Sequence, residues 1–451
     1  MDTSHRWLVK EGPDRRRAVI EALVAGREWR SILVGFPGVN EVSNGLDLRG
    51  IDLSALDLRQ AQLERARLDS ANLRGANLNG VSLKYASFRE AAMGDADLAG
   101  ADLTGADFQA ANLDHANLEG VAARGTRFSN ASLVGVNMAH AFISGADFRN
   151  SLINGAVFTE ANANFASFAC VQAQKLRGSG ALFKKSNWFK SNVSGADFGN
   201  AALTESDFSF AVCKKANFAH AELSRSKLKE ADLTEAVLDF VTAQSTTFAM
   251  SVLSGTSFVG AVLDETNFNN TYAPSPACFT RIQAEHAFFM NTRLSRSAFD
   301  QAVLVRALFC ESDLSDVDFR GADFSQANLQ KANMRRCKLD RTRFDKSLLS
   351  GANLCEAVLD GAVFVQTPLE PSILQGANVD NCTFSEINRE TVEASAVTGD
   401  PLYEAEVALW RQIKLKKMPS ACTNTSKNAE SSSINRGVNA FANSSPIPTK
   451  R

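Results

Sequence analysis

The chain has 451 residues, and its 48 lysines and arginines nearly balance 50 aspartates and glutamates, giving a formal net charge of −2. This balance excludes a general electrostatic attraction to DNA, RNA or an anionic membrane, so we expect no direct contact with nucleic acid. No stretch is apolar over the length that a transmembrane helix needs, and the N-terminus lacks the apolar core of a signal peptide. The eight cysteines are scattered without a CxxC pair, which is typical of reduced thiols in a cytoplasmic protein rather than of disulfides or zinc ligands.

Residues 1–45 are predicted to form an N-terminal helical cap followed by a lead-in. Pro13 suits the first turn of a helix, and Gly26 suits the left-handed conformation that ends one. We expect a helix over about 14–25 whose apolar face is formed by Val19, Ala22 and Leu23. Such a helix would cover the first part of the structure that follows, and the alternative is a helix that binds a partner or targets the protein.

From Leu46 to residue 270 the sequence repeats every five residues in one frame, as in ADLAG ADLTG ADFQA. The third residue of each block is mostly Leu or Phe, and the first is usually small. A period of five fits neither a helix, at about 3.6 residues per turn, nor a strand, at about 2. It fits a chain that turns a corner in every block, with positions one and three inward and positions two, four and five in water.

The segment TYAPSP, residues 271–276, shifts this frame by one residue, and a second repeated part follows over 277–388. Its two prolines cannot donate hydrogen bonds to a β-ladder. We therefore predict a bulged corner or a small loop between the two repeated parts.

Blocks such as Ala101-Asp102-Leu103-Thr104-Gly105 follow the pattern A(D/N)LXX, and the chain thereby resembles the pentapeptide-repeat family over about three quarters of its length. The resemblance implies an all-β fold, a right-handed quadrilateral β-helix solenoid with four blocks per coil, here flanked by short N- and C-terminal helices. About 17 coils at about 4.8 Å would make a rod roughly 80 Å long. Solenoids of this kind need a cap at each end.

Residues 389–419 are predicted to form a C-terminal helix that acts as a cap or as a dimerisation element. Asp400-Pro401 resembles a helix start. The apolar stripe beyond it, our candidate dimer contact, consists of Leu402, Leu409, Trp410 and Ile413. Some members of the family dimerise through their C-terminal ends, so a homodimer is an expectation. Residues 420–451 are rich in Ser, Asn and Thr and are predicted to be disordered.

Nothing in the sequence predicts a catalytic, cofactor or metal site. The five histidines form no HxxxH or HExxH pattern, and the aspartates recur at position two because the repeat itself requires them. The ends outside the repeat are too short for an ordinary catalytic domain. We therefore predict that the protein is not an enzyme and needs no cofactor.

Two basic runs are candidate contacts for a partner, and an ordinary solvated surface is the alternative for both. The first basic run, 171–190, has no acidic residue, and its centres Ala173 and Gly178 predict a thin core. Phe165 and Phe210 lie nearby and are expected to point outward. Its candidate residues are Lys175, Arg177, Lys184, Lys185, Phe189 and Lys190. The second basic run, 331–346, is opposed by Asp340 and Asp345 and contributes Arg335, Arg336, Arg341 and Arg343.

The favoured function is a non-catalytic rod or scaffold in a bacterial cytoplasm that binds another protein of unknown identity. The family also includes effectors that bacteria export into host cells, and such export would here need no cleaved signal peptide. The alternative is a DNA-mimicking modulator of DNA gyrase that confers quinolone or toxin resistance. Its candidate face consists of Asp95, Asp97, Asp102, Asp107, Asp114 and Glu119. A continuous negative face would favour the mimic, whereas faces of mixed charge would favour the scaffold.

Overall fold

The structure is a computed structural model that describes residues 5–8, 11–36, 46–369 and 371–385. It has one α-helix, α1 (Gly12–Val24), and two short parallel strands, β1 (Val363–Val365) and β2 (Thr383–Ser385). Single turns of 3₁₀ helix occupy His5–Trp7, Arg30–Leu33 and Pro371–Leu374. The predicted C-terminal helix over 389–419 and the predicted disordered tail over 420–451 lie outside the described residues.

Parallel β-bridges between residues 20 positions apart organise the repeated part. Asn112, for example, bridges Ala92 on one side and Ser132 on the other, and such bridges run from Asp47 to Asn378. Each bridge involves position two of a block, because positions four and five form the turn that follows. We call the 20 residues between bridged positions a coil. Four blocks make one coil, so residues four blocks apart are neighbours in space.

Within one block, every backbone amide finds an acceptor. The amides of residues 96–100 donate in turn to the carbonyl oxygens of Met93, Ala76 and Asn117, to the side chain of Asp97, and to the carbonyl oxygen of Glu119, over 2.7–3.2 Å. The fourth bond explains why Asp or Asn recurs at position two: its side chain accepts from the position-four amide, as in an Asx turn. Position five has positive φ, near 60° in residues such as Tyr85 and His115, and donates to the next coil. Complete pairing offsets the cost of this left-handed conformation.

The interior is a set of stacked columns built from position three. Phe88 and Phe108 stack with ring centroids 4.8 Å apart and planes 6° apart, and the column continues through Phe128 and Phe148. Rings of adjacent columns meet edge to face, as Phe158 and Phe168 do at 80°. Both geometries suit the aromatic quadrupole and add about 0.5–1.5 kcal/mol per pair beyond the burial itself. Position one is also buried, as predicted.

The prediction of a thin core in the first basic run is wrong at Gly178. Leu176 takes the inward position one that is usually small, and it is fully buried. A Cβ on Gly178 would lie 3.1 Å from both Leu176 and Phe183, so the space is already filled. Trp188, also fully buried, donates its Nε1 hydrogen to Ser186 Oγ over 2.8 Å. The large residues around Gly178 compensate for its missing side chain.

The N-terminal residues cover the first coil. Helix α1 begins two residues before the predicted start, and Val19, Ala22 and Leu23 are buried in the common core as expected. The sequence interpretation missed Trp7 and Trp29, both buried, whose Nε1 atoms donate to Arg49 O and Gln62 O over 2.9 Å.

A buried ion pair joins this N-terminal segment to the repeat. Arg6 Nη2 donates to Asp47 Oδ1 over 2.9 Å, and the side chain of Asp47 is fully buried. Burial would raise the pKa of Asp47, but hydrogen bonds from Arg49 and Arg6 outweigh it and lower the pKa to about 2. Asp47 is therefore an anion that holds two cations at the start of the repeat.

The frame shift at 271–276 is a one-residue bulge within a turn. Val252 bridges Tyr272, 20 residues on, whereas Ser257 bridges Cys278, 21 residues on. The backbone of Ser275 remains bonded to the previous coil, donating to Ser254 Oγ over 3.1 Å and accepting from the Gly255 amide over 3.2 Å. The coil therefore absorbs the extra residue without interrupting the ladder.

Candidate protein-binding surface

Few described side chains have the properties of a chemical site. Burial raises the pKa of the Cys213 and Cys337 thiols, and that of Cys382 to about 12, which keeps them protonated. No group of three or more His, Cys, Asp or Glu in the described ranges could hold a metal ion. None of the helices in those ranges is long and apolar enough to cross a membrane.

The coil decides which surface residues are neighbours. Position-two residues 20 apart are bridged, at the spacing of about 4.8 Å found between strands. Residues five apart in sequence lie on successive sides of the coil, with a turn between them. A functional surface must therefore be read at intervals of 20 residues and not along a continuous run.

The first basic run encircles one coil and does not form one patch. Lys175 lies in one turn and Arg177 on the next side, while Lys184 and Lys185 lie in a later turn. Phe189 and Lys190 lie together one turn further on, with Lys190 Nζ 5.3 Å from the Phe189 ring centroid. The structure thus brings together two pairs of these six residues.

The aromatic residues of this region differ in exposure. Phe165 points outward and is 62% exposed, with Lys185 Nζ 6.0 Å from its ring centroid. Phe189 and Phe210 are only half-exposed, because their rings pack edge to face at 5.5 Å. Lys185 also pairs with Glu205 of the next coil over 3.4 Å, whereas Lys184 forms no ion pair with any described residue.

Carboxylates of neighbouring coils pair with Arg335 and Arg336 of the second basic run. Arg336 makes two 2.7 Å hydrogen bonds to Asp316, and Arg335 makes one of 2.7 Å to Glu356. Arg343 pairs with Asp345 over 2.6 Å, while Arg341 forms no ion pair within the described part of the chain. The hydrogen bonds from Arg336 hold the pKa of Asp316 below its ordinary value. The sequence interpretation missed Asp316 and Glu356 because they lie about 20 residues from their partners.

The acidic residues proposed as a DNA-mimicking face are divided among several sides. Asp97, Asp102 and Asp107 belong to three different columns of bridged residues. Arg74 pairs with Asp95 over 3.1 Å, Lys84 with Asp102 over 3.1 Å, and both Arg89 and Arg127 with Asp107 over 3.5 and 3.6 Å. Asp114 accepts hydrogen bonds from Ser132 and Val134, and Glu119 accepts one from Asn137. These six carboxylates do not form a continuous negative face.

An exposed apolar column escaped the sequence interpretation. Phe142 is 60% exposed and Leu182 is 40% exposed, both at position two, where the repeat prefers Asp or Asn. Consecutive bridges join them in one column that we call the Phe142 face, consisting of Ala122, Phe142, Asn162, Leu182 and Ala202. Phe165 lies in the turn beside this column. Tabulating position two at intervals of 20 would have revealed it.

Comparison with known proteins identifies the repeat. A family model described as "Pentapeptide repeats" matches eight copies, within residues 47–84, 82–120, 111–150, 211–248, 287–326, 318–349 and 347–386. These matches cover more than half of the chain. No curated protein sequence is significantly similar to it.

Several solved structures are similar to parts of the chain. HetL, a pentapeptide repeat protein involved in heterocyst differentiation regulation from the cyanobacterium Nostoc sp. strain PCC 7120, shares 22% identity over 54% of this chain and 89% of its own, with a TM-score of 0.21. QnrB1, a plasmid-mediated fluoroquinolone resistance protein, shares 14% sequence identity over 46% of this chain and 88% of its own, with a TM-score of 0.26. A pentapeptide repeat protein from the thylakoid lumen of Arabidopsis thaliana shares 32% sequence identity over 28% of this chain and 73% of its own, with a TM-score of 0.11. By its family-model matches, the chain belongs to the pentapeptide repeat family, whose members fold as β-helices.

Proposed function

We propose that the protein is a non-catalytic scaffold that presents long flat faces to a protein partner. In this proposal its coils wind into a right-handed, four-sided rod, the shape that the resemblance to the pentapeptide-repeat family implies. The observation that carries the function is the Phe142 face, where two large apolar side chains stand in water at positions that the repeat normally gives to Asp or Asn. Full burial of such a side chain is worth about 1.5–3 kcal/mol, and covering the exposed 60% of Phe142 and 40% of Leu182 would contribute the corresponding fraction to binding.

Affinity capture tests the scaffold function. Tagged full-length protein, crosslinked in the cells that produce it, should retain a specific protein that then binds the purified chain saturably. Failure to recover any saturable protein partner under crosslinking would overturn the proposal. An increase in product with time for any substrate in a broad hydrolase screen would overturn its non-catalytic part.

The DNA-mimicking gyrase modulator ranks second, because cations of neighbouring coils neutralise Asp95, Asp102 and Asp107. A gyrase supercoiling assay, with and without a fluoroquinolone, separates the two functions. We expect no effect on supercoiling or on drug poisoning. Inhibition or protection at near-stoichiometric protein would reverse the ranking.

Two finer proposals concern assembly and location. If the protein forms a homodimer through the predicted helix at 389–419, sedimentation equilibrium should give twice the monomer mass, and Leu409→Glu should reduce it to the monomer mass.

If the protein is exported into a host cell as an effector, the full-length, uncleaved chain should be found in the host cytosol. Finding it confined to the producing cell would leave the cytoplasmic scaffold.

A further inference from the structure

The Phe142 face has the chemistry of a docking site for one kind of partner. We propose that it binds an amphipathic helix of a partner protein, with the apolar stripe of the helix on Phe142 and Leu182 and acidic side chains along one edge of the helix. This inference rests on the scaffold function and specifies the site and the partner's chemistry.

The length of the face matches a helix of moderate size. Its five residues, from Ala122 to Ala202, carry no charge, and the bridges place acidic residues, Asp102 and Glu222, immediately beyond its two ends. Four spacings of about 4.8 Å make the uncharged column about 20 Å long. A helix rises about 1.5 Å per residue, so about 13 residues would span it.

The two edges of the face carry opposite charges. Along one edge lies the turn that follows the column, with exposed Arg124, Lys184 and Lys185 beside exposed Phe165. Glu205 is also exposed on this edge and pairs with Lys185 over 3.4 Å, so the edge is basic through Arg124 and Lys184. Along the other lies the turn that precedes it, with exposed Glu119 and Glu160. Arg124 and Lys184 form no ion pair with any described residue, so both are available to a partner's carboxylates. Charge complementarity of this kind sets the orientation of a bound segment and suppresses wrong partners.

The size of the face argues for a helix rather than a second copy of the chain. A side of three residues is about 10 Å wide, so the column offers roughly 200 Å². A stable protein dimer buries about 800 Å² on each partner. A helix is itself about 10 Å in diameter, and one apolar stripe over three to four turns covers the column and reaches both edges.

The local backbone shows that the face can be altered without breaking the coil. Leu182 cannot accept from the amide of Lys184, and Asn164 Oδ1 of the preceding coil accepts it instead over 2.9 Å. Asn is the repeat's own residue at position two, and Asn162 already occupies the middle of the column and accepts from the Asn164 amide over 3.3 Å. The substitution Phe142→Asn should therefore keep the fold.

The test uses labelled helical peptides and full-length protein in fluorescence anisotropy titrations. One peptide has a leucine stripe with glutamates along one edge, and its twin has lysines in place of those glutamates. We expect the acidic peptide to bind at least tenfold more tightly than its twin, Phe142→Asn to weaken it at least tenfold, and Lys184→Glu to remove the preference for glutamate. Equal affinity of the two peptides would overturn the proposal.

Leu152→Asn is the matched control, because Leu152 is also exposed at position two, by 43%, but lies in another column. It should leave the affinity unchanged, and unchanged thermal melting should show that all three variants fold. A photo-crosslinker on the acidic peptide should label residues near Phe142, Phe165 and Leu182. Labelling of other columns would overturn the site, as would evidence that the face is occupied by residues 389–419 or by a second copy.

The failure of this inference is distinguishable from failure of the scaffold function. If a captured natural partner binds Phe142→Asn as tightly as the wild type, the docking site is wrong while the scaffold stands. If no protein partner is captured at all, the scaffold function itself is wrong.

Discussion

The first and second basic runs look alike in the sequence and differ in the structure. Both place several cations within about one coil, yet the second run is tied into ion pairs with Asp316 and Glu356, while Lys184 of the first run has no such partner within the described residues. The first run also borders the exposed Phe142 and Phe165, and Lys185 lies 6.0 Å from the Phe165 ring centroid. The difference teaches that charge in this fold is balanced between coils, so local composition is a poor guide to the charge of a surface.

Among the substitutions that compare the two runs, truncating a buried side chain beneath the first run should cause the largest loss of stability. Trp188→Ala removes a fully buried ring that stacks on Phe168 at 4.1 Å and on Phe208 at 5.5 Å, and it leaves Ser186 Oγ without its donor. We expect a loss of about 3–5 kcal/mol in the free energy of unfolding, measured by denaturant titration and by hydrogen exchange of nearby coils. Phe189→Ala, one residue away on the surface, is the control. A loss under about 1 kcal/mol in Trp188→Ala would contradict the stacking of Trp188 on Phe168 and Phe208.

Restoring the repeat's preferred centre should destabilise the first run. Gly178→Leu matches the pattern of the family, but Leu176 and Phe183 already lie within 3.1 Å of the new Cβ. Overpacking of this kind costs about 1–3 kcal/mol, which a shift in the denaturation midpoint would show. Met334→Leu at a centre of the second run is the control and should change little. An increase in stability for Gly178→Leu would mean that the site is underfilled.

Reversing a charge should lower the stability of the protein in the second run and weaken partner binding in the first run. Arg336→Glu places a carboxylate beside Asp316 and Glu356, so it should lower the denaturation midpoint, and added salt should reduce the difference. Lys184→Glu breaks no ion pair within the described residues and should leave the midpoint unchanged while weakening partner binding. Equal effects of the two variants on stability would contradict the inference that ion pairs stabilise the second run and not the first.

The smallest expected effect is a pH dependence of the second run. The side-chain hydrogen bond from Arg336 lowers the folded-state pKa of Asp316, so its stabilising contribution is complete above the ordinary aspartate pKa, about 4, and is lost as pH falls through the lowered value. Wild type should therefore be more stable than Arg336→Gln near neutral pH, and the difference should vanish in acid. Denaturation midpoints of both proteins between neutral and acidic pH measure this. A difference independent of pH would show that Asp316 does not carry it.

Much of the interior could be read from the sequence. The period of five predicted the buried positions one and three, and Pro13 and Gly26 predicted a helix close to the bounds of α1. The packing at Gly178 was misjudged, because Leu176 of the same block and Phe183 of the next block fill the space that the missing side chain leaves. The Phe142 face was missed since Phe142 and Leu182 are separated by 40 residues that point to every side of the coil.

The sequence by itself determined the block, because the signals that define it act within five residues: a side chain at position two that accepts from position four, a small residue at position one and a large centre. The family resemblance implied four blocks per coil, and the bridges between residues 20 apart establish which blocks are neighbours. Four blocks per coil is a property of how the coils stack and is written in no single block, yet it places Glu205 on Lys185 and joins Phe142 to Leu182 through Asn162. Packing in this protein follows the local repeat, whereas charge pairing and the candidate binding surface follow the 20-residue coil.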